Sequence, residues 1–76
     1  MVAKAFVIVN VEVGQETKIL EELREMKRVK EAHIVYGAYD MIAIIEAPTV
    51  QAVKDIINSE IRRLEGVNSI LIMIVV

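Results

Sequence analysis

The sequence predicts an α+β fold in the order strand, helix, strand, strand, helix, strand, and three observations predict it. Two stretches carry apolar residues at helical spacing, four runs are rich in β-branched and apolar residues, and Gly or Pro stands at most of the joins.

Taken in order, Ala3 to Val13 reads as the first strand, with Val7, Val9, Val11 and Val13 on one parity and Phe6 and Ile8 on the other. Gly14 breaks the pattern, and Ile19, Leu20, Leu23, Met26 and Val29 then mark one face of a helix from about Gln15 to Val29. Ala32 to Tyr36, Gly37-Ala38-Tyr39-Asp40 and Met41 to Ala47 read as strand, tight connection and strand, a hairpin. Pro48 and Thr49 supply a stop and an N-cap, after which Val50, Val53, Ile56, Ile57, Ile61 and Leu64 mark a second helix ending at Gly66. Val67 to Val76 closes the chain as a strand that is apolar on both parities. This order is the split βαβ, or ferredoxin-like, pattern. It predicts a sandwich of a four-stranded antiparallel sheet with both helices on one face and the first and last strands of the halves central.

The other face of that sheet is the unusual feature. An antiparallel sheet with one solvated face alternates apolar and polar residues, whereas the first, third and last strands here are apolar on both parities, Ile42 and Ile44 included. The chain of 76 residues has room for one domain, 1–76, and a 55% apolar composition is high for its size. A core this small supplies only about 3–5 kcal/mol of net stability without help. With no cysteine, neither a disulfide nor a thiolate metal site provides that help. A second copy covering the bare face is the expected solution, so the chain is read as a homodimer or higher oligomer.

Composition also narrows the function classes. The longest apolar run, Ile70 to Val76, is far short of the roughly 20 residues that span a bilayer, and the N-terminus does not resemble a signal peptide. A cytoplasmic protein with no membrane partner is expected. A net charge of −2 gives no long-range attraction to phosphates, and Phe6 is the only aromatic on a strand read as central, so direct nucleic-acid binding is not expected. Lys27, Arg28, Lys30, Arg62 and Arg63 are read as lying on helices beside matching acids, as solvated pairs.

Few residues carry chemistry. His33 is the only histidine and has no carboxylate cluster at ligand spacing, so no metal is expected. The hydroxyls of Thr17, Thr49, Ser59 and Ser69 have no histidine at motif spacing to activate them, and the three glycines form no phosphate-cradling loop. No cofactor and no enzymatic activity are expected. The polar feature that stands out is Tyr36-Gly37-Ala38-Tyr39-Asp40, two phenols and a carboxylate around a glycine at the open end of a hairpin. One reading is a ligand site in which the carboxylate and free backbone N–H groups hold the ammonium and carboxylate of an amino acid. The other is structural, with Asp40 accepting a backbone N–H of the turn and the tyrosines packing at a dimer edge.

Val29, the run Val35-Tyr36-Gly37-Ala38-Tyr39-Asp40-Met41, and Leu64-Glu65-Gly66-Val67-Asn68-Ser69 together resemble the C-terminal effector-binding (RAM) domain of the Lrp/AsnC, or feast/famine, transcription regulators. The resemblance covers the whole chain. It implies dimerisation through the sheets, association of dimers into octamers, and amino acids bound between dimers near the hairpin. By that resemblance Tyr36, Gly37, Ala38, Tyr39 and Asp40 contact effector, Asp40 partners an α-amino group, and Ser69 matches a hydroxyl position on the last strand. Leu71 stands where many relatives carry a threonine. Such regulators usually carry a helix-turn-helix before this domain, and here Met1 leads straight into the first strand, so a stand-alone module is expected. Its expected role is to sense a free amino acid and modulate full-length Lrp/AsnC regulators or metabolism without binding DNA. The alternatives are a purely structural assembly partner of such regulators, and a small dimeric ferredoxin-like enzyme.

Overall fold

The computed structural model describes residues 2–76; Met1, from which the sequence reading led into the first strand, lies outside them. The elements are β1 (Ala3–Val11), α1 (Glu16–Glu25), β2 (Val29–Ile34), β3 (Met41–Ala47), α2 (Val50–Ile56), a π-helical turn (Ile57–Ile61) that continues α2, and β4 (Val67–Ile74). They form the ferredoxin-like sandwich, a four-stranded antiparallel sheet in the order β2-β3-β1-β4. The first strands of the two halves, β1 and β3, are central, while β2 and β4, which end the halves, are the edges; the expectation that last strands share the centre is corrected.

Strand alternation divides the apolar residues between two faces. Ala5, Val7, Val9 and Val11 of β1 and Met41, Ala43, Ile45 and Ala47 of β3 are buried, and the core they make is completed by Ile19 and Leu23 of α1, Val53 of α2, and Ile57 and Ile61 of the π-helical turn. Among the described residues no polar or charged side chain is buried, so the space between sheet and helices is filled with aliphatic packing. The opposite face carries Phe6, Ile8, Ile42, Ile44, Leu71 and Met73. The four on central strands are half-buried by their neighbours alone, and Leu71 and Met73 on the edge are 43% and 44% exposed.

Several boundaries differ from the sequence reading. Helix α1 ends at Glu25 rather than Val29: Met26 is extended (ψ 129°), its N–H bonds the Leu23 carbonyl, and the Val29 N–H bonds the Met26 carbonyl at 3.2 Å. Val29 continues the helical spacing, but pairing with Ile45 buries it in the sheet instead, so tertiary packing overrides periodicity. Strand β2 accordingly starts three residues before the expected Ala32 and stops at Ile34. Lys27, Arg28 and Lys30 lie in the α1–β2 turn and on β2, not on a helix; among the described residues a helical ion pair forms between Lys18 and Glu22 at 3.7 Å. The second helix ends at Ile61, five residues before Gly66. β1 stops at Val11, leaving Val13 exposed, and β4 stops at Ile74.

Gly66 lies in the turn just before β4 with φ +101°, where a Cβ would stand 3.0 Å from Gln15 Cγ, and its carbonyl accepts the Glu12 N–H at 2.7 Å. The sequence signal at that glycine therefore marks a close approach between chain segments, not a helix cap. Thr49 is the cap the sequence predicts: its Oγ1 accepts the Ala52 N–H at 3.0 Å. Thr49→Ala is expected to cost about 1 kcal/mol of unfolding free energy, read by urea denaturation, and Thr49→Ser to cost little. At the other edge, Arg24 reaches from α1 to donate from both Nε (3.1 Å) and Nη2 (2.9 Å) to the Ala32 carbonyl, closing an outward main-chain acceptor of β2.

Candidate functional site

The β2–β3 connection spans residues 35–40 and is closed by the Val35 N–H donating to the Asp40 carbonyl at 2.9 Å. Gly37 has φ +143°, a conformation side chains disfavour, which lets the chain reverse between Tyr36 and Ala38. At the end of the connection Asp40 is fixed to the neighbouring strand twice. Its N–H donates to the Val9 carbonyl at 3.1 Å, and its Oδ2 accepts the Val11 N–H at 2.9 Å.

This second bond resolves part of what the sequence left open. Asp40 does accept a backbone N–H, but from β1, 29 residues away in sequence, rather than from its own turn. The carboxylate thus terminates the β1–β3 ladder where β1 leaves the sheet. Its other oxygen, Oδ1, has no protein hydrogen-bond donor among the described residues and remains able to accept one.

The remaining residues singled out in the sequence fall into two groups. Ser69 is exposed on β4 and pairs directly with Asn10 of β1, and Asp40 immediately precedes β3, so the three lie at one end of the sheet. Tyr36, Gly37 and Ala38 are exposed on the connection that leaves edge strand β2, on the far side of β3 from Ser69, and Tyr39 is partly buried. Tyr36 is fully exposed, so the single chain does not fold its phenol over Asp40. Asn10 is the member that the sequence reading did not select. The available signal was a polar residue interrupting an otherwise apolar strand, on the parity of the uncovered face.

Two open concavities lie elsewhere. One, of about 430 Å³, is at the opposite end of the sheet between Ala3-Lys4, Pro48-Thr49-Val50 and Val75-Val76. The other, of about 280 Å³, lies beside β2 and Arg24. Neither includes a residue of the 35–40 connection. No helix among the described residues is long and apolar enough to cross a membrane.

Comparison with known proteins gives a consistent answer. The sequence profile of the family described as the Lrp/AsnC ligand binding domain matches residues 4–76. The structure described as FFRP-DM1 superposes with a TM-score of 0.94 at 32% identity, over 97% of this chain and 99% of that one. The hypothetical protein PHS023 from Pyrococcus horikoshii superposes at 0.93 and 32% identity, over 97% and 89%. The regulator NMB0573 from Neisseria meningitidis, solved as a complex with L-Met, shares the fold at a TM-score of 0.85 and 14% identity; the match covers 97% of this chain and 49% of that one. No curated protein matches.

Proposed function

The chain belongs to the Lrp/AsnC ligand-binding domain family, and from that premise we propose that residues 1–76 are one domain that binds a free amino acid and assembles with copies of itself. The observation that carries the reading is Asp40: a carboxylate held in place by the Val11 N–H, with Oδ1 free, at the sheet end where Asn10 and Ser69 also lie. A carboxylate already immobilised by the fold loses little entropy on accepting an ammonium, and the resulting bond is charge-assisted.

In this reading Asp40 takes the α-amino group, the exposed Gly37 and Ala38 backbone offers N–H donors to the α-carboxylate, Tyr36 and Tyr39 wall the side chain, and Ser69 contributes a hydroxyl from β4 or from a neighbouring copy. The single chain leaves Tyr36 and Ser69 apart, so the complete site lies between subunits. The apolar sheet face supplies the dimer, and dimers associate further, up to an octamer. The module then acts on full-length Lrp/AsnC regulators in the cytoplasm through its ligand-dependent assembly, without contacting DNA and without catalysing a reaction. The regulator–L-Met complex supports the class of ligand, as a property of that protein.

Calorimetric titration with the common free amino acids tests this. Binding of one of them is expected, and Asp40→Asn is expected to weaken it about tenfold or more by removing the charge while keeping an acceptor for the Val11 N–H. Asp40→Ala should in addition cost about 1–2 kcal/mol of stability, because that N–H loses its partner. No heat from any amino acid would remove the sensing role. It would favour a ligand-independent assembly module, the second reading, which the exposed Tyr36 and the position of both concavities away from residues 35–40 support.

A further inference from the structure

The concavity of about 280 Å³ beside β2 lies where the chain concentrates positive charge. The net charge is −2, yet residues 24–30 carry Arg24, Lys27, Arg28 and Lys30 against one acid, Glu25. Arg24 and Lys30 line the concavity together with Ala32, Glu31 and His33. Of the nearby acids, Glu21 and Glu25 of α1 do not line it. Glu31 does, but its register with Ile44 sends it, like His33 opposite Ile42, to the face away from the helices. There Glu31 Oε1 stands 3.2 Å from His33 Nε2, so this carboxylate has a partner of its own.

The hydrogen bonds at this edge leave donors unmatched. Arg24 directs Nε and Nη2 to a single acceptor, the Ala32 carbonyl. A guanidinium carries five N–H groups in a planar fork, so the Nη1 end stays open while the two bonds hold it in place. Because the Ala32 carbonyl points away from β3, Ala32 and Ala43 are a non-hydrogen-bonded pair of the antiparallel ladder, and the Ala32 N–H points outward as well. No acceptor among the described residues takes that N–H, although Ala32 is only 2% exposed. A nearly buried main-chain donor without a protein partner is rare, and it marks a place for an external acceptor. The Lys30 ammonium has no ion-pair partner among the described residues either.

A further strand is obstructed here by Arg24 over the Ala32 carbonyl and by the bulge between Val29 and Glu31. What fits a small concavity of donors is a compact group that only accepts. We propose that this concavity is an anion site that takes a phosphate group, free or as the monoester of a small molecule, through the Nη1 end of Arg24, the Lys30 ammonium and the Ala32 N–H. The three donors come from a helix side chain, a strand side chain and the main chain. A tetrahedral dianion offers oxygens to all three, whereas the guanidinium fork alone occupies both oxygens of a carboxylate. The site is independent of the hairpin, since no residue of the 35–40 connection lines it and phosphate has no ammonium for Asp40 to take.

Amide NMR of the full chain, titrated with sodium phosphate and separately with sodium chloride at matched ionic strength and pH, reads the contact directly. The Ala32 amide proton is expected to move downfield and saturate with phosphate, and to stay in place with chloride. Lys30→Gln should weaken phosphate binding about threefold, as suits an exposed charge, without moving the Ala32 resonance of the phosphate-free protein. Arg24→Lys keeps the charge but not the fork, and should weaken binding at least as much. Methyl phosphate distinguishes the sources: tighter binding than inorganic phosphate supports the site with a monoester as its ligand, and equal or weaker binding supports it with the free ion. An Ala32 amide that stays put, or drifts without saturating, would overturn the site. So would a Lys30→Gln protein that binds phosphate as well as the unaltered chain, and acetate binding more tightly than phosphate would overturn the assignment of the ligand.

Discussion

Leu23→Ala is expected to remove about 3–4 kcal/mol of unfolding free energy, a large part of what this chain has. Leu23 is fully buried at the centre of the face that α1 turns to the sheet, in one core with Val7, Val9 and Ile45. Truncation to Ala loses the transfer energy of the removed methyl groups and leaves a cavity, because two close-packed layers joined by short connections have little room to collapse into it. At the usual 0.05–0.15 kcal/mol per residue, a chain of this length has only about 4–11 kcal/mol in total. The variant should therefore unfold at markedly lower urea concentration with little change in slope, as seen by circular dichroism. A loss below about 1 kcal/mol would mean that α1 is not packed on the sheet in solution as the structure has it.

The second large effect concerns the other face. Ile8 sits between Ile42 and Leu71 in the middle of the uncovered surface, and Ile8→Asp puts a carboxylate where a second copy is expected to pack. An unpaired charge at the centre of an apolar interface costs several kcal/mol, so the variant should run as a single chain of 8.6 kDa in light scattering. Its melting temperature should also lose the dependence on protein concentration that association confers. The core beneath is lined by the opposite parity, Val7 and Val9, and is untouched, so the monomer should keep its circular dichroism spectrum. An Ile8→Asp protein that stays oligomeric would place the interface elsewhere, with the long uncharged edge strand β4 as the next surface to alter.

How far the sequence reveals this molecule depends on which physical signal each residue carries. The ferredoxin-like order was legible because periods of two and 3.6 alternate cleanly between breaks, and the bare apolar face because alternation fails on β1, β3 and β4. Val29 was misplaced because it satisfies both periods: its helical spacing from Met26 is correct, and only the long-range pairing with Ile45 decides for the strand. Gly66 misled in the same way, since its left-handed backbone serves a close approach to Gln15 that local sequence does not encode. At the candidate site Asp40 was visible as the one carboxylate in the hairpin connection. Its bond to Val11 and its neighbours Asn10 and Ser69 come from two strands, β1 and β4, a juxtaposition set by sheet register rather than by spacing.

Light-scattering mass of the purified protein, with and without each common free amino acid and repeated for Asp40→Asn, tests the central claim most directly. The account predicts an oligomer whose mass or thermal stability changes with at least one amino acid, and a response that Asp40→Asn weakens or abolishes while leaving the unliganded assembly intact. An assembly of fixed mass and stability, indifferent to every amino acid and to the charge at Asp40, would contradict it.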